Sequence, residues 1–390
     1  VLGILSLNLN AQSTQDTIDQ PYWMDMMFRR DINFFQTKRA FDLYFSNKEK
    51  VKGSGHKQFE RWADNAKREL NPDGSFRPAD FMLKELANFK ANSLTPRNGN
   101  PKWTSLGPFN NPAPASMQRG VGRINVIAYH PTDPNIIYCG APAGGFWYSN
   151  DKAQSWTKSN TDDLPRFGVS AIAVIPEANS TPLILVGTGD RDANDAPGYG
   201  VYVSMDGGVT FTPSNTGMGN DVVVNRLLVN SMDNNIIVAA TSKGIFKSYD
   251  KGQNWVRTSP AIDFKDAVYH PEDTNFVYAA AGGTFYRSIN GGNAWSIVSS
   301  GFTTASKRRL AIAVTKAQPD LVYVIAVNSN RGMEGLYKSS NKGANFALQL
   351  SGTVYNPLSN SQNGTGTAGQ GEYDLAIESS PSDSNIVYVG

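Results

Sequence analysis

The chain has 390 residues with 40% hydrophobic and 11% aromatic content, enough for a sizeable packed core and too much for a disordered polymer. Thirty-six Lys and Arg face 34 Asp and Glu, a net charge of +2 with no long basic run, so the sequence offers no electrostatic footprint for nucleic acid or an anionic membrane. Thirty-six Gly and 21 Pro suit a turn-rich β protein better than a helical one.

In chain order, VLGILSLNLNAQ (1–12) is an apolar run of signal-peptide length, ending near the small residue Ala11. The polar stretch from Gln12 stops it well short of the about 20 apolar residues a membrane span needs. It reads as the remnant of a signal peptide, with cleavage near Ala11 and a secreted or cell-surface destination; a buried N-terminal strand is the alternative. The single cysteine, Cys139, follows Ile136, Ile137 and Tyr138 and reads as a small buried hydrophobe on a strand. Residues 20–92 carry helical periodicity. Phe34, Phe41 and Tyr44 or Phe45 share one side of a first helix, and Phe59, Trp62 and Ala66 face inwards on a second. Asn-Pro-Asp-Gly at 71–74 marks a turn, and Pro78 can open a third helix through Met82, Leu86 and Phe89. Residues 93–119, rich in Asn, Pro and Ser, read as a linker or capping strand.

From residue 120 to 390 the sequence repeats. SNDKAQSW (149–156), SMDGGVTF (204–211), SYDKGQNW (248–255), SINGGNAW (288–295) and SSNKGANF (339–346) share Ser-x-Asp/Asn-x-Gly-x-x-Trp/Phe, with Ala153 in place of Gly in the first copy. Successive Ser positions lie 55, 44, 40 and 51 residues apart, the spacing of propeller blades. The acidic or amide residues Asp151, Asp206, Asp250, Asn290 and Asn341 can fold onto backbone N–H groups and close a turn. The Gly accepts positive φ there. The aromatics Trp156, Phe211, Trp255, Trp295 and Phe346 then supply one apolar plug per unit. Two of the five turn residues are Asn, which excludes a shared role as acid or nucleophile. Before each copy lies strand-turn-strand patterning, as in INVIAYHPTDPNIIYCG, AVYHPEDTNFVYAA and LAIESSPSDSNIVYVG. The expected fold is all-β: a β-propeller of four-stranded blades, five complete plus a partial sixth, behind a small α-helical segment. Because ring closure protects the first and last blades, seven or more blades are expected in a longer chain.

These turns resemble the Asp box (BNR repeat) of the sialidase, sortilin and xyloglucanase-type propellers, over roughly residues 120–390. The resemblance implies that the boxes sit on the outer edge of each blade, away from the ligand face. Lys57-Gln-Phe-Glu-Arg-Trp62 resembles the leader of type IX secretion substrates, which implies secretion machinery as a partner.

On this plan the ligand face carries the loops between second and third strands and those joining blades. Its richest loop, GTGDRDANDAPGYG, groups Asp190, Arg191, Asp192 and Asp195. The three carboxylates could hold Ca²⁺, although the spacing departs from a full calcium loop and a solvated acidic turn is the alternative. No other cofactor is implied. Arg123 and Arg308 occupy matching first-strand starts, where other blades have Val223 and Asp263; Arg123-Ile124 is similar to the start of the sialidase arginine motif, with Asn125 where its Pro belongs. In the first blade Pro142 stands where the xyloglucanase resemblance would put a catalytic Asp. Phe146 and Trp147 could stack on sugars or pack in the blade, and the loop at 355–374 brings Glu372 and Asp374 to the ligand face. No catalytic residue is assigned. The reading that follows is a non-catalytic, sortilin-like module recognising a protein or polysaccharide. The alternatives are a glycoside hydrolase whose catalytic residues lie partly outside this stretch, and a structural spacer in a surface adhesin.

Overall fold

The computed structural model describes residues 22–92 and 122–390, apart from 28, 52–53, 79–80, 160, 162–163, 165–167, 178–180, 193–195, 360, 362 and 374. Segments 1–12 and 93–119, together with Asp195 and Asp374, therefore lie outside the described residues.

The N-terminal unit holds α1 (Trp23–Met27), α2 (Phe34–Tyr44), α3 (His56–Lys67) and α4 (Phe81–Asn92). The helix read through Phe34, Phe41 and Tyr44 is α2, and the short α1 precedes it. Asn33 caps α2, accepting from the Phe35 N–H (2.9 Å) while its Nδ2 donates to the Asp73 carbonyl (2.8 Å), so the chain must turn before Phe34. Fully buried Trp23 sits edge-on to Phe41 and Phe59, which stack on each other at 3.8 Å. Gly55, at φ +83°, begins α3 where a Cβ would lie 1.9 Å from Met24 Cε.

Five antiparallel four-stranded sheets and one two-stranded sheet follow, each a simple meander in sequence order. The first contains β1 (Val126–Tyr129), β2 (Ile137–Ala141), β3 (Gly145–Ser149) and β4 (Thr157–Lys158). The second contains β5 (Val169–Ile175), β6 (Leu183–Thr188), β7 (Val201–Ser204) and β8 (Thr212–Pro213). The third contains β9 (Val224–Val229), β10 (Ile237–Thr241), β11 (Gly244–Ser248) and β12 (Val256–Arg257). The fourth contains β13 (Phe264–Tyr269), β14 (Val277–Ala281), β15 (Thr284–Ser288) and β16 (Ser296–Val298). The fifth contains β17 (Arg309–Val314), β18 (Val322–Val327), β19 (Met333–Ser339) and β20 (Ala347–Ser351); β21 (Ile377–Ser379) and β22 (Val387–Val389) form the sixth. The first strands β1, β5, β9, β13, β17 and β21 touch in succession, so the sheets radiate as blades from a common axis with these strands innermost.

The repeated turn has one geometry in all five copies. In the third, Ser248 Oγ donates to Asp250 Oδ1 (2.8 Å) and accepts from the Gly252 N–H (2.8 Å), while Asp250 Oδ1 accepts from the Asn254 N–H (2.9 Å). Asn290 accepts in the same way from Ser288 Oγ and the Ala294 N–H, both at 2.9 Å, which explains the free exchange of Asp and Asn. The second to fifth turns are also joined to the blade before them: Ser159 donates to the Gly208 carbonyl, Ser214 to Gly252, Lys247 to Gly291 and Arg287 to Lys342. Phe211, Trp255 and Phe346 are buried against that neighbour and Trp295 partly so. Trp156 is 39% exposed, a correction to its expected role as a plug: among the described residues no blade precedes its own. Phe146 is fully buried between the first two blades, so it packs in the core and is closed to a sugar.

Candidate functional site

The β1–β2 and β3–β4 turns of a blade share one face, shown by the Lys152 N–H donating to the Asn135 carbonyl (3.0 Å) and the Lys251 N–H to Asn235 (2.9 Å). The opposite face carries the loops between second and third strands, the blade connections and the start of every innermost strand. There the ionic side chains converge across blades.

Asp190, in the β6–β7 loop, is fully buried and accepts from Arg123 Nη2 (2.5 Å), Asn125 Nδ2 (3.2 Å) and the Asp192 N–H (3.1 Å). Ser170 Oγ fixes the same loop by donating to the Gly189 carbonyl (2.8 Å) and accepting from the Arg191 N–H (3.1 Å). Asp192 accepts from Arg191 Nε (3.1 Å) on one oxygen and from Arg309 Nη2 (2.6 Å), in the fifth blade, on the other. Burial alone would push the Asp192 carboxyl up, but the charges of Arg309 and Arg191 outweigh it and hold the group below the usual carboxylate range. Arg226, on β9, pairs with Asp266 on β13 at 2.7 Å; Asp266 raises its pKa against burial, while the other Asp266 oxygen accepts from the Ile312 N–H (2.9 Å). Burial lowers Arg191, and neighbouring Arg226 lowers it further. Lys265 bridges Asp263 (2.9 Å) and the Arg191 carbonyl (2.7 Å). Glu372 holds Arg308 (3.1 Å) and Arg331 (2.8 Å), and its carbonyl accepts from Arg309. Burial, the dominant influence on Arg308, pulls its pKa down despite Glu372.

Of the residues singled out in sequence, the structure brings Arg123 onto Asp190, Arg191 onto Asp192, and Arg308 onto Glu372. Arg226, Lys265, Asp266, Arg309 and Arg331 complete the network and were not singled out. A signal existed: Arg226, Lys265 and Asp266 interrupt otherwise largely apolar innermost strands. The carboxylates of Asp190 and Asp192 each carry a guanidinium, which competes with a cation, and no group of three potential metal ligands forms among the described residues. The box residues Asp151, Asp206, Asp250, Asn290 and Asn341 lie on the other face, committed to their own turns.

The helical unit lies over this ionic mouth. Arg331 Nη2 donates to Met24 Sδ (3.1 Å), and Arg30 approaches Asp221 at 3.9 Å. Three grooves flank α3: one of about 970 Å³ against the fifth blade, one of about 710 Å³ against the second to fourth, and one of about 620 Å³ against Pro142, Ala143 and Ala196.

Comparison with known proteins shows what the chain is similar to. A solved GH74 enzyme from Niastella koreensis superposes with a TM-score of 0.52 at 19% identity, covering 68% of this chain and 43% of that one. This is a β-propeller. No protein-family model matches the chain. Curated relatives include the xyloglucanase Xgh74A of Acetivibrio thermocellus, 24% identical over 56% of this chain and 24% of that protein. The oligoxyloglucan-reducing end-specific xyloglucanase of Emericella nidulans is 27% identical over 46% of this chain and 24% of that protein. The propeller described here thus spans about a quarter of the length of these relatives. Among the described residues no helix of the propeller chain is long and apolar enough to cross a membrane.

Proposed function

We propose that the protein is a secreted, glycoside hydrolase-like propeller that takes a polysaccharide on its loop face. The observation that carries this is the ionic mouth. Side chains from five blades and from the stretch leading into the sixth are locked to one another at the end of the axis, presenting a preformed polar rim to hydroxyl-bearing ligands. Because the repeated turns are saturated by their own backbone, recognition falls to the opposite face. The xyloglucanase relatives favour hydrolysis as the second reading. Asp192, held ionised by Arg309 and Arg191, suits a base or charge-stabilising role and is a poor proton donor, so on that reading the general acid is a different carboxyl.

The test is a polysaccharide screen of the full-length protein for binding and for reducing-sugar release, with Asp192→Asn and Glu372→Gln beside it. Release lost in either variant supports hydrolysis at the mouth. Binding without release supports non-catalytic recognition. Neither signal overturns the polysaccharide reading and turns attention to a spacer role.

A further inference from the structure

The groove between α3 and the fifth blade has a composition unlike the mouth beside it. Lys57, Gln58 and Arg61 come from the helix, and Arg331, Gln370 and Tyr373 from the propeller. Among the described residues that line it there is no Asp or Glu. Lys57 and Arg61 are one helical turn apart and exposed, with Arg61 Nε donating to the Lys57 carbonyl (3.3 Å). Glu372, which holds Arg331 from behind, is not part of the lining.

The helical wall of this groove has an apolar core of its own. Its apolar cluster, built on Trp23, Phe41 and Phe59, draws every member from the helical unit and its 70–76 turn. Contacts with the propeller include the Arg331–Met24 hydrogen bond and the long Arg30–Asp221 pair, and about 970 Å³ of open space lies between the two. That volume lies within the range of small-ligand sites. Saccharide hydroxyls fit the amides of Gln58 and Gln370, the Tyr373 ring offers a flat apolar face, and the exposed cations Lys57 and Arg61, with no Asp or Glu in the lining, select for negative charge.

We propose that this groove is a subsite for an acidic glycan, one bearing carboxylate or sulfate groups, with the helical unit as one wall of the site. The proposal rests on the loop-face reading above and names its ligand class. It is tested by calorimetry on the full chain with three probes: an oligogalacturonate, a sulfated dextran oligosaccharide and a neutral xyloglucan oligosaccharide. The variants are the double substitution Lys57→Gln/Arg61→Gln and, on the box face of the fifth blade, Lys316→Gln. An acidic probe bound by the wild type, weakened about tenfold or more in the double variant and unchanged in Lys316→Gln, supports the subsite; whichever acidic probe binds identifies carboxylate or sulfate as the group read. Unchanged affinity in the double variant overturns it, as does tighter binding, the result expected if the helices only cover the face. Binding of the xyloglucan oligosaccharide alone overturns the acidic subsite and leaves the loop-face reading standing. Binding of none of the three overturns both.

Discussion

Replacing Ser248 by Ala separates the turn's physical device from the charge of its carboxylate. Ser248 Oγ is buried, donates to Asp250 Oδ1 at 2.8 Å and accepts from the Gly252 N–H at 2.8 Å. Removing it leaves the Gly252 N–H without its acceptor, at a desolvation cost of about 1–3 kcal/mol, and deletes a hydrogen bond to a carboxylate. Because the Gly252 carbonyl also receives Ser214 from the second blade, loosening the turn loosens an inter-blade contact. The expected destabilisation is about 2–3 kcal/mol. Hydrogen-exchange mass spectrometry reads it locally, as a roughly thirtyfold or greater loss of protection over residues 248–256 if the turn opens independently. Asp250→Asn is the control. Asn290 and Asn341 do the same work in their own blades, so this change is expected to cost no more than about 0.5 kcal/mol. If Asp250→Asn costs as much as Ser248→Ala, the carboxylate charge carries a role beyond the turn and the reasoning fails.

Other expectations follow from the same geometry. Ala153 sits at φ +66° where most copies have Gly, so Ala153→Gly should raise stability by about 1 kcal/mol in urea melts. Arg309→Met should cost about 3 kcal/mol by leaving buried Asp192 with Arg191 alone, and pairing it with Asp192→Asn should recover at least half of that loss in a double-mutant cycle. Hydrogen bonds from Ser155 and Ser149 hold the Asp151 pKa at about 2; at Asp206 burial pushes the carboxyl up, but hydrogen bonds from Thr210 and Ser204 together outweigh it and bring the pKa to about 2. Folded values below the ordinary 3.8 mean that this stabilisation is present above about pH 4 and is lost as pH falls towards 2. An acid titration of the melting temperature should therefore be shallower in Asp151→Asn/Asp206→Asn than in the wild type.

The blades were legible because the repeated turn is local. Ser, Asp or Asn, and Gly lie within four residues of one another and satisfy one another whatever surrounds them. The hairpins announced themselves through apolar runs broken at Pro, Asp and Asn. In the third and fourth blades these are Asn230-Ser-Met-Asp and His270-Pro-Glu-Asp, where Asn230 Oδ1 and His270 Nδ1 accept the N–H groups two and three residues on. The ionic mouth was only half legible. Asp190 and Asp192 stood out as an acidic loop, but the partner that decides the state of Asp192 is Arg309, 117 residues away across the axis. Long-range pairing of this kind leaves no periodicity to read. For the same reason the sequence showed a helical unit without showing that it lies over the loop face, and it assigned Trp156 a burial that only a preceding blade could provide.

The most direct measurement is hydrogen exchange of the full protein with and without saturating ligand, using the oligogalacturonate and, separately, the xyloglucan oligosaccharide. A ligand seated on the loop face should protect residues 189–192, 221–223, 261–265, 328–332 and 369–373 and leave the box turns at 150–155, 205–210 and 249–254 unchanged. Protection concentrated in those box turns, or none on the loop face with ligand bound, would contradict the loop-face site.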